Sequence, residues 1–419
     1  MTVSISFIPS LDTAALLNRL LDGFELRGGQ PKRAVRVRLS DVEDLLPGYY
    51  SQTDPTPRVV ANEQLTAAEQ EGWITLDWEP GQKGHLLASV TLSPESPAPS
   101  ATHALYALLG REPQAAQRRR LRDRLLADRF RVHDWRRLAL DHTLMQLEAQ
   151  KSPAPFILHD EDWNRDLLEA LLALPENLVE ELPYRVFSVR VFNDSKRFEM
   201  LARAVARLAR RHHGEWRDLT NWEILRELGL VPNPTYLYLA GKWQLATEGG
   251  QTVSLADFDP SVGIPATLAA HVGEVTVDAA RVVCVENLTT FYTLLQHGPG
   301  NLAALCLAGN PSPACRQLLT RLAERLPAEI PLYVWADIDY GGLNILAHLR
   351  RHVSPRFVPY RMDVETLGTF ARWGQPLTPN DARNLARLRD HPALADMTTL
   401  IDEMLLREVK LEQEAIVLP

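Results

Sequence analysis

The stretch PLYVWADIDYGGLNILAHLR, residues 331–350, joins an apolar run, two carboxylates one residue apart and a pair of glycines. Residues 331–335 are apolar and aromatic, as in a strand buried on both faces, and the residues from Gly341 onward have helical periodicity. Asp337 and Asp339 are therefore expected at the junction of a strand and a helix. Carboxylates in that position predict either a metal site or the N-terminal cap of the helix.

The chain on both sides of this stretch repeats the alternation of strand and helix. Apolar runs separated by helical periodicity predict four strands, at residues 281–287, 302–310, 331–339 and 356–363. Near-continuous apolar strands separated by helices form a parallel sheet that is covered on both faces. We therefore predict a Rossmann-like α/β domain over residues 276–419, within a multidomain chain of α/β and α+β parts.

Each predicted strand ends in polar residues. In chain order these are Glu286 with Asn287, Gly309 with Asn310, Asp337 with Asp339, and Asp363. The carboxyl ends of parallel strands meet at one edge of the sheet, so we expect the acidic side chains to converge there. Carboxylates in such proximity repel one another unless they are protonated or neutralised by a divalent cation.

The acidic residues predict a site for a hard metal ion. Glu286, Asp337 and Asp339 offer only oxygen ligands, which favour Mg²⁺ or Mn²⁺ over zinc. Asp337 and Asp339 are the predicted ligands, and Glu286 either completes the metal shell or acts as general acid or base. Gly341 and Gly342 open a helix whose N-terminus suits phosphate, so the set indicates phosphodiester chemistry. The alternative is structural: Asp339 caps the helix and Glu286 is a surface residue at a strand end.

Length and composition limit the class of protein. The chain has 419 residues, 45% of them hydrophobic and 23% charged, which predicts two to four globular domains. The sequence contains no run of about 18 apolar residues, which a membrane span would require. The first residues also lack a signal peptide pattern, so we expect a cytoplasmic protein. The net charge of −8 means that any DNA binding must come from local basic patches. Cys284, Cys306 and Cys315 are predicted to be buried, reduced thiols.

The N-terminal part has a different pattern from the predicted sheet. Residues 1–180 are predicted to form an arm, with a winged-helix-like unit at 30–92 that ends in a two-stranded ribbon and with helices at 103–180. Residues 93–103, rich in Pro, Ser and Ala, predict a linker. Residues 181–275 predict a second winged-helix-like unit, which begins with a strand in PYRVFSVRVF and continues with an amphipathic helix.

Arginines are concentrated between residues 118 and 137. Interspersed aspartates at 123, 128 and 134 favour a solvated helix laced with salt bridges. The alternative is a face that follows phosphates or docks a partner.

The acidic pattern resembles a known family. A Glu on the first strand, then D-x-D followed by Gly on a later strand, resembles the Toprim domain of topoisomerases, primases and related nucleases. More specifically, the chain resembles JetD, the DNA-cleaving subunit of Wadjet plasmid-defence systems and a relative of the topoisomerase VI A subunit. The segments that carry this resemblance are VCVENLTTFYTLL, LCLAGNPS, YVWADIDYGGLNILAHLR, YRMDVETL, LEQEAI and VRVFNDSKRFE, the last with Asn193 where a Gly is expected.

The resemblance implies a homodimeric nuclease that hydrolyses DNA with the help of Mg²⁺ or Mn²⁺. It implies an N-terminal arm at 1–180, a CAP-like winged-helix domain at 181–275 and a Toprim catalytic domain at 276–419. The implied partners are double-stranded circular plasmid DNA and an SMC-like ATPase with its kleisin and kite-type subunits. The chain itself has no G-x-x-x-x-G-K-[ST] motif, so any ATP-driven step is assigned to a partner.

Further residues are candidates for a supporting role. Lys196 and Arg197 are predicted to hold phosphate, with a surface turn as the alternative. Asn287 and Asp363 are candidates to support the metal ligands, although Asp363 also suits a helix cap. Glu412 and Glu414 could reach the site, but a solvated helix end is the favoured interpretation.

Two other functions compete with a hydrolytic nuclease. A topoisomerase VI A-like transesterase would use a tyrosine, and Tyr184, Tyr236 and Tyr238 lie in the corresponding region. A non-catalytic DNA-binding scaffold with a vestigial acidic site is the other alternative. Covalent attachment of protein to DNA ends would identify the first, and a lack of metal binding would identify the second.

Overall fold

The structure is a computed structural model, and it describes residues 8–27, 34–41, 43–92, 100–175, 180–247 and 249–416. The chain divides into two compact units, residues 1–168 and 169–419. Each unit is described in turn.

The first unit combines a small antiparallel sheet with helices. Its helices are α1 (Leu11–Leu26), α2 (Thr56–Gln70), α3 (Ser100–Leu108), α4 (Gln114–Asp128) and α5 (Trp135–Glu148), and α6 (Glu161–Leu172) crosses into the second unit. Its strands are β1 (Val35–Arg38), β2 (Thr75–Trp78) and β3 (Leu87–Leu92). In the described residues these strands are ordered β1-β3-β2, and the sheet shares a hydrophobic core with α1, α2 and α3.

The predicted ribbon is present as β2 and β3, which pair antiparallel. Strand β1 was not predicted from the sequence; it pairs with β3 and alternates buried valines with exposed arginines. Such alternation is typical of a strand with one face on the core, although only four residues carry it here. Of the predicted linker, residues 93–99 lie outside the described residues and 100–103 begin α3. The winged-helix assignment of residues 30–92 stays a prediction.

The second unit begins with helices and short strands. The helices are α7 (Tyr184–Phe192), α8 (Arg197–His212), α9 (Asn221–Glu227) and α10 (Ala266–Ala270). The strands are β4 (Leu182–Pro183), β5 (Leu230–Val231), β6 (Tyr236–Ala240), β7 (Trp243–Thr247), β8 (Thr252–Ser254), β9 (Val262–Pro265) and β10 (Val272–Val277).

The strand predicted in PYRVFSVRVF is wrong, because residues 184–192 form the helix α7. The ring of Phe187 packs edge-on against Phe198 of α8, with ring centroids 4.8 Å apart. Ser188 completes the junction of the helices, since its hydroxyl accepts the Phe198 N–H at 2.9 Å and donates to the carbonyl of Asp194. Asn193 ends α7 with a φ of 55°, a left-handed conformation that suits Gly best and Asn next. Tertiary packing therefore overrides the strand-like alternation.

The four predicted parallel strands are present as β11 (Arg281–Val285), β12 (Leu302–Cys306), β13 (Leu332–Trp335) and β14 (Phe357–Pro359). The helices between them are α11 (Leu288–His297), α12 (Pro313–Arg325) and α13 (Tyr340–His352). Within the described residues the sheet has the order β14-β13-β11-β12-β6-β9, with the first four strands parallel. The central strands β11, β12 and β13 are almost fully buried, as the apolar runs predicted, whereas Val358 of the edge strand β14 is exposed.

Strands from the segment 181–275 extend this sheet. β6 pairs antiparallel with β12, and β9 pairs antiparallel with β6. β7 instead joins β8 and β10 in a separate antiparallel sheet. Part of the segment predicted as a CAP-like domain is thus hydrogen-bonded into the same sheet as the predicted Toprim strands.

The chain after β14 folds back toward the sheet. It forms α14 (Val364–Phe370), α15 (Pro379–Leu388), α16 (Thr398–Arg407) and the short antiparallel strands β15 (Gln375–Pro376) and β16 (Val409–Lys410). Residues 409–416, which we call the C-terminal strap, then run beside the end of β13. Leu411 and Ile338 exchange backbone hydrogen bonds of 2.8 and 3.0 Å.

Candidate metal and phosphate site

Glu286 and Asp337 meet because β11 and β13 are neighbours in the sheet. The backbone N–H of Glu286 donates to the carbonyl of Trp335 at 2.9 Å, which continues the pairing of the two strands. The backbone N–H of Asp337 then donates to Oε2 of Glu286 at 3.1 Å. The predicted convergence of these two residues at the carboxyl edge of the sheet is therefore observed.

The environment disfavours negative charge on both carboxyl groups. Burial is the largest cause that raises the pKa of Glu286 to about 8, followed by the charge of Asp337. Burial also raises the pKa of Asp337 to about 6; the Gln413 N–H opposes this shift, and the charges of Asp339 and Glu414 add to it. Without a cation, Glu286 is therefore mostly protonated at neutral pH, and a cation would favour the charged form of both groups.

Asp339 caps α13. Its Oδ1 accepts the backbone N–H of Gly342 at 2.8 Å, so the capping interpretation describes a real contact. The second carboxylate oxygen makes no contact in this cap. Gly342 is required by close packing, since a Cβ there would lie 2.1 Å from the carbonyl oxygen of Asp337. The glycine lets the first turn of α13 lie directly against the backbone that carries both aspartates.

The C-terminal strap completes the surroundings of the acidic residues. The backbone N–H of Gln413 donates to Oδ1 of Asp337 at 2.8 Å. Asn287 donates from Nδ2 to Oε1 of Glu414 at 2.9 Å. Glu414 is exposed, as the favoured interpretation of a solvated helix end predicts, and it also lies beside the site, in a 3-10 turn from which its charge raises the pKa of Glu286 and Asp337.

The end of β12 holds Asn310, another predicted polar residue of the edge. Asn310 is buried, and its backbone carbonyl accepts a hydrogen bond from the Arg226 guanidinium of α9. Its side-chain amide has no hydrogen-bond partner among the described residues. Arg226 does not stand out in the sequence, because only the packing of α9 brings it here.

The supporting candidates lie in different places. Asp363 caps α14, accepting the Thr366 N–H at 2.7 Å, and its side chain is exposed. Lys196 ends the turn between α7 and α8, and Arg197 is the first residue of α8. Lys196 is exposed, and its N–H donates to Asp194.

The arginine-rich segment is largely paired. Arg120 contacts Glu112 and Glu161, and Asp141 contacts both Arg129 and Arg137. These ion pairs agree with the favoured interpretation of a solvated helical face. All three cysteines are buried and free, as predicted.

The donor set at the sheet edge fits a hard divalent cation. Glu286, Asp337 and Asp339 each accept a backbone N–H with one carboxylate oxygen, and the other oxygen of each is a potential ligand. The buried side-chain amide of Gln413 also lacks a hydrogen-bond partner among the described residues. Within the same residues, no three His, Cys, Asp or Glu side chains already converge on one point as around a bound ion. Binding would therefore require the other oxygens to rotate inward.

Comparisons with known proteins find similarity to one family. The family model described as "Wadjet protein JetD, C-terminal" matches residues 251–418. The chain is also 25% identical over 375 residues to the Wadjet protein JetD of Bacillus cereus (strain Q1), an alignment that covers 89% of this chain and 90% of that relative. Residues 251–418 are thus similar to the C-terminal domain of JetD. The resemblance to JetD that the sequence motifs indicated is thereby confirmed.

The matched residues contain the whole acidic edge described above. The match begins at residue 251, before the parallel strands, so its range includes β9 as well as β11 to β14. It also includes the C-terminal strap. In the described part of the chain, no helix combines the length and the apolar character that crossing a bilayer requires.

Proposed function

We propose that the chain is a Mg²⁺-dependent DNA endonuclease that hydrolyses phosphodiester bonds of circular plasmid DNA within a Wadjet-type defence system. The observation that carries this proposal is the contact of Glu286 with Asp337, two half-buried acids whose pKa values are raised to about 8 and about 6. Like charges held together at the edge of an α/β sheet are unfavourable for stability, and such an arrangement is typical of a functional site.

The aspartates and the N-terminus of α13 have different roles in this proposal. Asp337 and Asp339 each present one carboxylate oxygen to the cation, while backbone N–H groups hold the other oxygens in place. When bound, Mg²⁺ supplies charge stabilisation for the scissile phosphate and the leaving oxygen. Gly341 and Gly342 lie in the first turn of α13. The positive end of the helix dipole is at this N-terminus, which therefore favours the negatively charged phosphate.

Two roles fit Glu286. As an acid with a raised pKa, it delivers a proton to the leaving oxygen; as a carboxylate, it completes the metal shell. Glu286→Gln separates them, because loss of cleavage with metal binding unchanged assigns the proton-transfer role. Loss of metal binding as well assigns the ligand role.

A basic face on α8 supports DNA binding. Lys196, Arg203 and Arg207 are exposed at spacings of seven and four residues, which places them on one side of the helix. In the described part of the chain none of the three has a salt-bridge partner, unlike Arg120 of α4 and Arg137 of α5. Unpaired cations in a row are suited to the phosphates of a duplex. Lys196, and Arg197 beside it, were the sequence candidates for this role.

The similarity to a relative named Wadjet protein JetD supports the partners proposed here. We propose that the chain acts in the cytoplasm as a homodimer, with an SMC-like ATPase, a kleisin and a kite-type subunit that present the DNA. The test is incubation of the complete complex with plasmid, ATP and Mg²⁺, which should give linear product. Asp337→Ala should abolish the product, and an intact complex that leaves the plasmid uncut would refute the proposal.

The same reaction tests tyrosine chemistry. Tyr184 is half-buried against Phe198, with ring centroids 5.3 Å apart, and burial raises its pKa to about 12. Tyr236 and Tyr238 lie on β6, paired with β9. We therefore expect DNA ends free of protein after denaturation, whereas covalently bound protein would replace hydrolysis by transesterification.

A further inference from the structure

We propose that Gln413 is a positioning residue of the acidic site, which orients Asp337 through its backbone N–H and holds the hydration shell of the cation through its side-chain amide. The inference rests on the proposed metal-dependent function and concerns a residue of the C-terminal strap that lies in the LEQEAI segment but was assigned no role from the sequence.

The strap brings Gln413 to Asp337 with well-defined geometry. Leu411 is buried and exchanges two backbone hydrogen bonds with Ile338, the residue between the two aspartates. Two residues later, the Gln413 N–H donates to Oδ1 of Asp337 at 2.8 Å. This bond immobilises one carboxylate oxygen, so the other can be aimed at a cation without a loss of side-chain entropy on binding.

The side chain of Gln413 is at odds with a purely structural role. The residue is 0% exposed, yet neither the oxygen nor the nitrogen of its amide has a hydrogen-bond partner among the described residues. The amide faces the Asp337 carboxyl group and lowers its pKa, although it does not reach hydrogen-bonding geometry. A buried amide without partners costs free energy, and an apolar side chain of the same size would avoid that cost.

A ligand at the site would satisfy the amide. Water molecules bound to a Mg²⁺ or Mn²⁺ ion donate hydrogen bonds, and the Gln413 oxygen is a buried acceptor without a donor. Outer groups of this kind orient the ligands of a metal and tune its affinity. A local violation of the rules for stable packing is expected where a site requires it.

Two substitutions separate the side chain from the backbone. Gln413→Met retains the volume and the N–H but removes the amide. Gln413→Pro removes the N–H as well, at the first position of a 3-10 turn that tolerates proline, since Glu412 before it is extended with ψ 142°. Each is compared with the wild-type full-length chain and with Asp337→Asn as a metal-site control. Mn²⁺ affinity is measured by calorimetric titration, and the melting temperature is measured without metal.

For Gln413→Met we expect an unchanged or higher melting temperature and Mn²⁺ binding about 10-fold weaker than that of the wild type. For Gln413→Pro we expect a further weakening of about 10-fold. Wild-type Mn²⁺ affinity in Gln413→Met, or weaker binding only together with a lower melting temperature, would overturn the role of the amide. Equal affinities of the two variants would overturn the role of the N–H.

The proposed function can fail separately. If the wild-type chain binds no Mn²⁺, or binds it as well after Asp337→Asn, the metal site itself is refuted. If the wild type binds Mn²⁺ and loses it only in Asp337→Asn, the metal site stands and the positioning role of Gln413 is refuted.

Discussion

Glu286 and Asp337 are in contact although both are acids, because they follow the neighbouring strands β11 and β13. Each ends a buried strand, and the Asp337 N–H reaches the Glu286 side chain at 3.1 Å. Burial and neighbouring carboxylates therefore raise both pKa values. At the scale of the residue, the site stores unfavourable electrostatic free energy that a proton or a cation relieves.

The stability of the metal-free protein should fall as the pH rises from about 5 to about 8. The folded state binds the Glu286 proton up to about pH 8, whereas the unfolded chain releases it near its ordinary value of 4.5. The contribution of Glu286 is thus fully present below pH 4.5 and is lost as the pH passes 8, with a slope of up to about 1.4 kcal/mol per pH unit. Urea unfolding across this range measures it.

Glu286→Gln is the matched variant for this pH dependence, since it keeps the shape and removes the titration. Its stability should vary less with pH, and Mg²⁺ should flatten the wild-type profile by stabilising the charged form. Parallel profiles of the wild type and the variant would contradict the assignment.

Asp339 has two roles that substitution can separate. Asn caps helices about as well as Asp, so Asp339→Asn should retain the bond to Gly342 and change stability by less than about 0.5 kcal/mol. Asp339→Ala should cost about 1 kcal/mol. Both variants should lose plasmid cleavage by the complete complex. Cleavage retained by Asp339→Asn would reduce Asp339 to a helix cap.

At the scale of the element, the junction of β13 with α13 sets how closely helix and acids approach. Gly342 permits this contact, because a Cβ would meet the Asp337 carbonyl at 2.1 Å, while Gly341 is exposed and its Cβ would lie 3.3 Å from the Asp339 side chain. The two adjacent glycines therefore differ in what they tolerate.

Gly342→Ala should displace the Asp337 backbone and lower stability by about 1–3 kcal/mol. Gly341→Ala, as the matched control, should stay within about 1 kcal/mol of the wild type. Chemical denaturation together with Mn²⁺ titration measures both effects. If the two variants behave alike, close packing at Gly342 does not shape the site.

The basic face on α8 is also a property of a single element, because the helix places residues four and seven apart on the same side. The double substitution Arg203→Ala, Arg207→Ala should weaken binding to duplex DNA about equally for all sequences. It should also reduce the slope of log K against log[salt] by about 2. Arg389→Ala, at an exposed arginine paired with Asp402, is the control and should leave the slope unchanged. An unchanged slope in the double variant would exclude this face.

At the scale of the whole molecule, the chain has two units with separate hydrophobic cores. The acidic site, the C-terminal strap and the basic face on α8 all lie in residues 169–419. The family model likewise matches only residues 251–418, while the similarity to the Bacillus cereus relative extends over most of the chain.

Divalent cations should therefore stabilise one unit only. A chain with two cores is expected to unfold in more than one calorimetric transition, and a ligand raises only the transition of the unit that binds it. Saturating Mn²⁺ should shift one transition upward by several degrees and leave the other in place. Asp337→Asn should remove the shift, and equal shifts of both transitions would contradict the assignment.

Local sequence patterns predicted much of the second unit. Strands β11 to β14, the helices between them and the position of Asp337 and Asp339 after a strand all follow from apolar periodicity within about ten residues. The same reasoning failed for α7, where alternating side chains sit on a helix because Phe187 packs against Phe198. It also missed β1, which is too short to give a clear period.

The alternation of strands and helices, the acids at the strand ends and the glycines that follow them can be read from local sequence, because burial on a strand or helix imposes a short period. Which strand ends are neighbours depends instead on the packing of the folded chain. The contacts that build the site join residues 51, 76 and 127 positions apart: Glu286 with Asp337, Asp337 with Gln413, and Asn287 with Glu414. Such pairs leave no local period, since their proximity depends on how the whole chain packs.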